Sequence, residues 1–408
     1  MKILELEVSG YRSLKKVNWK PGDLNILIGP NGSGKSNLLR LLQIISISAR
    51  GELSTYIQNA GGMEPLMWDG AANKIAVRII GSPLEEERDV DRESLRYELD
   101  INRLGKSSSY RIDHELLCKH NIHATDGRQS PFKFLDRTGI RNRIFDANQR
   151  ALVAPEDTVP EDESLLSAAG GPFSVNPFIT TFQRELKEWS IYHDIHVNQD
   201  APIRQAVVTK LEKRVNPDGQ NLINVLHTLY NSDREFKKNI HLAMRAAFGD
   251  DFEELVFPPA ADERIQLRVR WKTLKREQSA SELSDGTLRF LMLLTILSSP
   301  AAAPVIAIDE PEMGLHPAML PIIAEYAVDA AERSQIIFTT HSPDFLDAFG
   351  DFTPATSVVV WENGETVIRR LEEERLQYWL REYSLGKLFT SGELAIFLSR
   401  DIAERRIG

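Results

Sequence analysis

Only one cysteine, Cys118, occurs among the 408 residues of the sequence. A single thiol excludes an internal disulfide framework and any zinc site built from several cysteines, and it is typical of a reducing compartment. The first residues, MKILELEVSGYRSLKK, alternate apolar and polar side chains and lack the apolar core of a signal peptide. We therefore expect Cys118 to be structural and the protein to be cytoplasmic.

Long apolar segments are also scarce. The stretch from Phe290 to Ile308 carries no charge and is long enough to span a membrane. It contains SSPAAAP, with two prolines, and it is followed by Asp309 and Glu310, so a helix, a turn and a buried strand explain it better. We therefore expect no membrane partner.

Internal repeats and sustained heptads are absent, which excludes a solenoid and a long coiled coil. The composition, 42% hydrophobic and 26% charged, is that of an ordinary globular protein. The net charge of -10 argues against wholesale wrapping of nucleic acid but leaves room for a local basic patch. The length allows one large core or two to three modules.

Three short β-branched runs predict buried parallel strands: LNILI (24–28), PVIAI (304–308) and QIIFT (335–339). Each run leads directly into a polar loop. In parallel α/β sheets ligands collect at the carboxyl ends of the strands. The residues that follow these three runs are therefore the candidates for chemistry.

The first of these loops is GPNGSGKS, Gly29 to Ser36, which has the spacing of a phosphate-binding loop between a strand and a helix. Its backbone N–H groups and the helix N-terminus suit phosphate oxygens. Lys35 is expected to reach the β- and γ-phosphates of ATP, and the Ser36 hydroxyl to bind Mg²⁺. A glycine-rich turn that happens to precede a helix is the alternative. The expected nucleotide contacts are Gly29, Pro30, Asn31, Gly32, Ser33, Gly34, Lys35, Ser36 and Asn37.

The other two strand ends supply acids and a histidine. In VIAIDEPE, Asp309 is expected to hold Mg²⁺ and Glu310 to orient or deprotonate the attacking water, with Glu312 in support. In IIFTTHSPDFL, His341 is expected to donate to a γ-phosphate, while Ser342 caps the next helix and Pro343 occupies its first position. Taken alone, the acids could be solvated or capping, and His341 could simply be packed.

SELSDGTLRF, residues 281–290, contains a second predicted helix N-terminus that could bind an anion. Ser284 suits the N-cap position, Asp285 the first turn, and Gly286 leaves backbone N–H groups uncovered. An ordinary capped helix explains the same residues equally well. The local sequence leaves these two readings open.

The order of these motifs resembles the ABC-type ATPase superfamily, in which LSDGT corresponds to the signature motif. DEPEMGLHP and TTHSP are typical of its soluble RecF- and SMC-like branch, which includes AAA-type and OLD-like (overcoming-lysogenization) ATPases. The resemblance covers roughly residues 1–45 and 275–350, under a third of the chain. It implies an α/β fold of the P-loop NTPase type, an ABC-type head, with an inserted strand-rich part and an inserted helical part.

The resemblance also implies a head-to-tail homodimer that encloses two ATP molecules. In such dimers Ser284 and Gly286 would touch the γ-phosphate held by the other subunit. PEMGLHP, which extends to Pro317, resembles the D-loop that crosses the dimer interface, and Arg12 matches a basic position near the nucleotide. Two departures are Thr287, where transporters favour glutamine, and the lack of a clear Q-loop glutamine.

The domain organisation follows from the composition of the middle of the chain. NKIAVRIIG, SLRYELDINR and SSYRIDHELL predict antiparallel strands, and the acidic APEDTVPEDES (154–164) predicts a mobile loop. ITTFQRELKEW, APIRQAVVTKLEKRV, NLINVLHTLY and REFKKNIHLAMRAAF have helical spacing. We therefore predict four segments: ATPase core over 1–70, a strand-rich part over 71–175, a helical part over 176–275, and core with a tail over 276–408.

Two further stretches point to partners. PFKFLDRTGIRNRIF (131–145) places Lys133, Arg137, Arg141 and Arg143 among phenylalanines, which suits nucleic acid, although a solvated face with core phenylalanines explains it better. YSLGKLFTSGELA (383–395) is expected to be an exposed tail that docks a partner. It resembles the tail of stand-alone ATPases that accompany a separate TOPRIM-like protein.

Three functions compete at this point. The first is an ATP-hydrolysing switch that dimerises on ATP and acts in DNA metabolism or anti-phage defence, on DNA or through a separate effector such as a TOPRIM-like nuclease or a toxin. The second is an ATPase subunit of an ABC transporter, against which the large insertion counts. The third is an ATP-gated scaffold or inhibitor that holds a toxin or effector and turns over slowly.

Overall fold

The computed structural model describes residues 1–70, 72–84, 94–105, 109–120, 131–155, 157–171, 174, 176–371 and 384–391. The chain divides into two compact units. Unit 1 consists of Met1–Gly22, Gly29–Trp189 and Ser357–Arg370, and unit 2 of Asp23–Ile28, Ser190–Thr356 and Leu371–Gly408. The predicted division into four segments is a statement about sequence and stays a prediction.

The described residues form short strands and helices in a mixed α/β order. The strands are β1 (Ile3–Tyr11), β2 (Leu14–Trp19), β3 (Leu24–Ile28), β4 (Lys74–Gly81), β5 (Ser94–Arg103), β6 (Tyr110–His120), β7 (Lys133–Thr138), β8 (Arg141–Asp146), β9 (Ala151–Val153), β10 (Ser190–Tyr192), β11 (Val207–Val208), β12 (Phe252–Val256), β13 (Pro259–Ala260), β14 (Arg264–Ile265), β15 (Arg268–Trp271), β16 (Gln278–Ser279), β17 (Val305–Asp309), β18 (Gln335–Thr340), β19 (Ala355–Glu362) and β20 (Glu365–Arg370). The α-helices are α1 (Lys35–Arg50), α2 (Leu53–Asn59), α3 (Leu165–Ala169), α4 (Pro177–Lys187), α5 (Leu222–Ser232), α6 (Arg234–Phe248), α7 (Asp285–Ser298), α8 (Leu320–Ala331), α9 (Pro343–Asp347) and α10 (Leu385–Thr390).

Unit 1 contains an antiparallel sheet in the order β2-β1-β4-β5-β6-β7-β8-β9. Alternation sets its two faces: in β4 the apolar Ile75, Val77 and Ile79 are buried while the residues between them are more exposed. The antiparallel strands predicted from NKIAVRIIG, SLRYELDINR and SSYRIDHELL are confirmed as β4, β5 and β6. They continue a sheet that β1 and β2 begin before the phosphate loop.

A buried carboxylate fixes the connection from this sheet to the helices of unit 1. Glu115, in β6, is fully buried and accepts hydrogen bonds from the Tyr97 hydroxyl at 2.9 Å and the Ser164 hydroxyl at 2.8 Å. It also accepts from the backbone N–H groups of Leu165 at 2.7 Å and Leu166 at 2.9 Å, which open α3. Burial, and secondarily the charge of Glu115, raise the pKa of Tyr97, so that this hydroxyl remains a donor.

This carboxylate also holds the end of the acidic stretch 154–164, of which Glu156 lies outside the described residues. Val159 within the stretch is buried, and Arg137 donates to the carbonyls of Pro160 at 2.9 Å and of Glu163. The predicted mobility of the loop stays a prediction.

Unit 2 is built on parallel strands in the order β10-β17-β18-β3. The register sets Asp309 beside Thr339 and Thr340 beside Ile28. Nearly every residue of β3, β17 and β18 is buried, which explains why the three runs lack polar alternation. The parallel sheet predicted from these runs is confirmed.

The prediction of a helix over 201–215 is wrong. After a short 3-10 turn, Pro202–Arg204, the chain is extended at Val207–Val208 and pairs with β14. The β-branched pair favours this geometry, and the Asn224 side chain holds it by donating to the Val208 carbonyl at 3.2 Å and accepting from the Lys210 N–H at 3.2 Å. The other helical predictions of this region are confirmed as α4, α5 and α6.

The uncharged stretch Phe290 to Ile308 divides as predicted into most of α7, a turn that contains the prolines, and β17. Among the described residues no helix is both long enough and apolar enough to cross a membrane. Short strands complete unit 2, in the orders β11-β14-β13 and β12-β15-β16. The segment predicted as helical therefore also carries small sheets.

Candidate nucleotide site

The phosphate-binding loop lies in unit 1, between β3 and α1, as the sequence predicts. Gly32 and Gly34 adopt positive φ angles of 80° and 100°, which side chains rarely tolerate. Because Gly34 is the N-cap of α1, the helix begins without a side-chain cap hydrogen bond. The loop thus presents a curled backbone and an uncapped helix start, which suits an anion.

Lys35 is buried at the base of this loop. Its ammonium group donates to the carbonyl oxygens of Gly29 at 2.7 Å and Pro30 at 3.0 Å. These bonds hold the positive charge inside the loop rather than in solvent. The ammonium group therefore lies within the loop, and its contact with the β- and γ-phosphates stays a prediction.

A distant threonine shapes the loop, and sequence reasoning missed it. Thr366, in β20, is buried and donates from Oγ1 to the Ser33 carbonyl at 2.8 Å. It approaches so closely that a Cβ on Gly34 would lie 2.0 Å from Thr366 Oγ1, and a Cβ on Gly29 would lie 2.1 Å from the Val359 carbonyl oxygen. Nothing in local spacing signals this contact, because 333 residues separate Thr366 from Ser33.

The turn that contains Arg12 belongs to the same neighbourhood. Its next residue, Ser13, accepts a hydrogen bond from the Asn37 amide at 2.7 Å and donates from its own hydroxyl to Thr366 Oγ1 at 2.7 Å, because the Thr366 proton is engaged with the Ser33 carbonyl. Arg12 itself has a positive φ of 45°, and its N–H donates to the Leu66 carbonyl at 2.9 Å. The β1–β2 turn thus contacts the first turn of α1, while the role of Arg12 near the nucleotide stays a prediction.

The loop fits a phosphate group in two respects. The Ser33 hydroxyl is buried and has no hydrogen-bond partner within the described part of the chain, so an incoming oxygen acceptor would satisfy it. A Cβ on Gly32 would meet no atom within 4 Å, which leaves that side of the loop open. Asn31 and Gly32 are exposed, while Ser36 is partly exposed.

The acids and the histidine lie together in unit 2, at the carboxyl ends of β17 and β18. The Nδ1 atom of His341 is 2.9 Å from Oε1 of Glu310. Asp309 accepts a hydrogen bond from the Thr339 hydroxyl on the neighbouring strand. The sequence predicted this grouping, because the ends of adjacent parallel strands meet at one edge.

The backbone of Glu310 is strained and held from two sides. Its φ is 44°, in the left-handed region. The Glu310 N–H donates to the Thr339 carbonyl at 3.0 Å, and the buried Arg289 donates to the Glu310 carbonyl at 3.0 Å. Arg289 lies on α7, so one helix carries both the signature stretch and a support for Glu310.

Glu312 lies beside this cluster with its side chain only 9% exposed, and its supporting role stays a prediction. Burial raises the pKa of its carboxyl group, against the lowering effect of the hydrogen bond from the Thr340 hydroxyl. Its Oε1 atom is 3.9 Å from Nδ1 of His341. Its other oxygen has no partner within the described residues.

The signature stretch forms the start of α7, with Ser284 as N-cap. The Ser284 hydroxyl accepts from the Thr287 N–H at 3.1 Å, so the capping prediction is confirmed. Ser284 is exposed, and Gly286 lies against the Gly314 carbonyl, to which an added Cβ would be 2.5 Å away. The glycine is therefore required by packing against PEMGLHP; the role of Ser284 and Gly286 toward a phosphate stays a prediction.

The basic and aromatic stretch 131–145 is largely structural. Phe132, Phe134 and Phe145 pack on one another or on Phe178, with ring centroids 4.0 to 4.9 Å apart. Lys133 pairs with Asp136 at 2.8 Å, and Arg137 is buried. The exposed cations that remain are Arg141 and Arg143, beside a cavity that Asp157 and Glu161 also line.

The whole-chain fold resembles that of SMC ATPase heads. The SMC head bound to the C-winged helix domain of ScpA aligns with 93% of this chain and all of that chain, at a TM-score of 0.54 and 14% identity. The SMC head with an extended coiled coil bound to the C-terminal domain of ScpA, from Pyrococcus furiosus, aligns with 93% of this chain and 99% of that chain, at a TM-score of 0.53 and 13% identity. The class that this similarity defines is the P-loop NTPase fold of SMC heads.

The sequence places the chain in one family of this class. Residues 24–347 match the family described as "AAA domain, putative AbiEii toxin, Type IV TA system", and the chain belongs to this family. A curated relative, the OLD nuclease of Thermus scotoductus, is 20% identical over 362 residues. That match covers 84% of this chain and 59% of the relative, so the chain spans under two thirds of the relative's length.

The carboxy-terminal stretch is not an exposed tail where it is described. Residues 384–391 contain α10, which lies against α9; Tyr383 and the residues after Ser391 are outside the described part. Asp347, at the end of α9, accepts from the Ser384 hydroxyl at 2.9 Å and the Gly386 N–H at 2.7 Å. Leu388 is buried, which corrects the expectation of exposure: the small and apolar residues serve close packing within unit 2.

We predict that Asp347→Ala releases this segment. Loss of both hydrogen bonds should speed amide exchange at residues 384–391 by roughly tenfold, measured by hydrogen exchange with mass spectrometry. Asp344→Ala, at an exposed position on the same helix, should leave the exchange unchanged. Equal exchange in the Asp347 variant and the wild type would contradict the role of Asp347 as the anchor.

Proposed function

We propose that this chain is an ATP-binding and ATP-hydrolysing molecular switch. The observation that carries the proposal is the Glu310–His341 pair, 2.9 Å apart, at the strand ends of unit 2. In the same sheet β3 ends beside Thr340, and the next residue along the chain is Gly29, the first of the phosphate-binding loop. Nucleotide hydrolysis requires a base, a hydrogen-bond donor to the γ-phosphate and a loop that binds the phosphates.

Each residue has a distinct proposed role. The loop Gly29–Ser36 and the N-terminus of α1 bind the phosphates, and Lys35 neutralises their charge. Ser36 and Asp309 are the proposed Mg²⁺ ligands, through a hydroxyl and a carboxylate oxygen. Bound Mg²⁺ would supply charge neutralisation at the phosphates. Glu310 orients and deprotonates water, and His341 holds Glu310 and donates toward the γ-phosphate.

We further propose that two chains cooperate head to tail. Ser284 is exposed at the start of α7, and Met313, in PEMGLHP, is 53% exposed despite being apolar. An exposed apolar residue beside an exposed helix N-terminus suits a surface that a second copy covers. Ser284 and Gly286 would then contact the γ-phosphate bound by the partner subunit.

The biological setting that we propose is DNA metabolism or anti-phage defence with a separate effector, such as a TOPRIM-like nuclease or a toxin. The support is the similarity to a relative named OLD nuclease. Within the described residues no group of three or more His, Cys, Asp or Glu side chains could hold a metal ion, so a metal-dependent nuclease centre of that kind is not found there.

A second candidate function is an ATP-gated scaffold that restrains a toxin or effector. The family description, which names a putative toxin of a type IV toxin–antitoxin system, favours it. This candidate predicts slow turnover that DNA does not change. The first candidate predicts retention of DNA by the ATP-bound dimer.

Thr366→Val should weaken ATP binding, because the loop loses the hydroxyl that holds the Ser33 carbonyl. We expect the Kd of a fluorescent ATP analogue to rise roughly tenfold. Thr356→Val is the matched control, since the buried Thr356 hydroxyl donates only to the nearby Pro354 carbonyl at 3.0 Å. An unchanged Kd in the Thr366 variant would show that this contact does not shape the site.

Glu310→Gln should trap an ATP-bound dimer. Removal of the base should lower the hydrolysis rate by about 100-fold or more while ATP binding persists. Sedimentation with saturating ATP and Mg²⁺, with and without DNA, measures the dimer and its retention of DNA. A monomer under these conditions would refute the ATP-enclosing dimer. A dimer that does not retain DNA would favour the scaffold function.

Mixing two inactive variants tests whether the signature acts in trans. Lys35→Ala cannot bind ATP, and Ser284→Arg places a bulky cation at the helix start. Each alone should be inactive, while an equal mixture should recover up to about a quarter of the wild-type rate, because half of the dimers then contain one intact site.

The control mixture combines Lys35→Ala with Glu310→Gln. Both residues are proposed to serve the ATP of their own chain, so no dimer of these variants contains an intact site. Recovery in this mixture, or none in the first, would contradict the proposed arrangement.

A further inference from the structure

The signature stretch has an unusual charge for a phosphate contact. Asp285 follows the N-cap Ser284 directly, and its side chain is 63% exposed. A carboxylate in the first turn stabilises a helix on its own, but it repels a phosphate that approaches the same helix start. A positive group must therefore offset the negative charge of Asp285 if the start of α7 is to face the phosphates of ATP.

The compensating group is Arg204, which lies 81 positions before Asp285 in the sequence. It lies at the end of the 3-10 turn Pro202–Arg204, within unit 2, and its side chain is only 3% exposed. One terminal nitrogen of its guanidinium pairs with Asp285 Oδ1. A buried arginine paired with an exposed carboxylate offsets that charge more effectively than solvent ions would.

The same guanidinium also holds the turn that leads into the signature. Its other terminal nitrogen donates to the carbonyls of Ala280 at 3.1 Å and Leu283 at 2.7 Å. Its Nε atom donates to the carbonyls of Val197 at 2.8 Å and Asn198 at 3.0 Å. All three guanidinium nitrogens of Arg204 donate hydrogen bonds, so the side chain is held in one orientation.

The loop that carries Arg204 is itself fixed. The Gln220 side chain accepts from the Ile203 N–H at 3.2 Å and donates to the His196 carbonyl at 3.0 Å. Ile203 and Ala201 are buried. A second arginine, Arg276, pairs with Glu282 of the same turn at 2.6 Å, but its side chain is 73% exposed and does not contact Asp285. Exposed pairs of this kind contribute little.

We propose that Arg204 is the positioning residue of the signature motif: it cancels the charge of Asp285 and fixes the Ala280–Leu283 turn, so that Ser284 and Gly286 can face the γ-phosphate of ATP on a second copy. This inference rests on the proposed ATP-dependent dimer. Arg204 does not contact ATP; it acts through Asp285 and the backbone.

The test measures ATP-dependent dimerisation in the Glu310→Gln background, with ATP binding measured in parallel on the monomer. Arg204→Gln should leave the Kd for the ATP analogue within twofold, because Lys35 is untouched. The ATP concentration for half-maximal dimerisation should rise at least about tenfold. Arg276→Gln removes the exposed cation that pairs with Glu282 of the same turn, and it should shift neither quantity.

Charge rescue separates this role from mere structural support. Adding Asp285→Asn to Arg204→Gln removes the uncompensated carboxylate, so dimerisation should recover most of the loss although the carbonyl contacts stay broken. A packing role alone would give no such recovery. Arg204→Lys, which keeps the charge but not the fork, should fall between the wild type and Arg204→Gln, and it serves if Arg204→Gln does not fold.

The outcomes are distinguishable. No ATP-dependent dimer with Arg204 intact would overturn the proposed function and this inference together. A normal dimer with Arg204 intact and an equal half-maximal ATP concentration in Arg204→Gln would overturn the inference alone. Lack of rescue by Asp285→Asn would overturn the charge role of Arg204.

Discussion

The parallel pairing of β17 with β18 is the constraint on which the candidate chemistry depends. Its register sets Asp309 beside Thr339, so Glu310, which follows β17, and His341, which follows β18, leave the sheet at the same edge. Hydrogen bonds between strands thereby fix side chains that are far apart in sequence. The left-handed backbone at Glu310 is the local cost of turning its carboxylate toward His341, and the contacts from Thr339 and Arg289 hold it there.

A second principle is that the flexible-looking loops are held by distant residues. The phosphate-binding loop is rich in glycine, yet Thr366 and the Val359 carbonyl approach Gly34 and Gly29 too closely for any side chain. Glycine here permits close packing as much as it permits positive φ. The signature follows the same rule, because Gly286 is packed against the Gly314 carbonyl and its preceding turn is held by Arg204.

The sequence predicted the parallel strands, the loop, the acids and the capped start of α7, because these features depend on local patterns and on the geometry of parallel sheets. It could not predict Thr366 or Arg204, whose contacts bridge residues distant along the chain and have no characteristic spacing. The false helix at 201–215 has the same origin. Apolar spacing favoured a helix there, while Pro202, the β-branched pair at 207–208 and the side chain of Asn224 impose an extended path.

The helical segment is therefore more than an insertion between motifs. Arg204, in the segment predicted as helical, donates a hydrogen bond to the turn before the signature. Arg289, on α7, donates to the Glu310 carbonyl. The signature and the acid cluster are joined by hydrogen bonds within unit 2, through one helix whose first turn also packs on the loop after Glu312. Ser284, the N-cap of α7, and Arg289, the donor to the Glu310 carbonyl, belong to one closely packed helix, so the same rigid element positions both the signature and the backbone of Glu310.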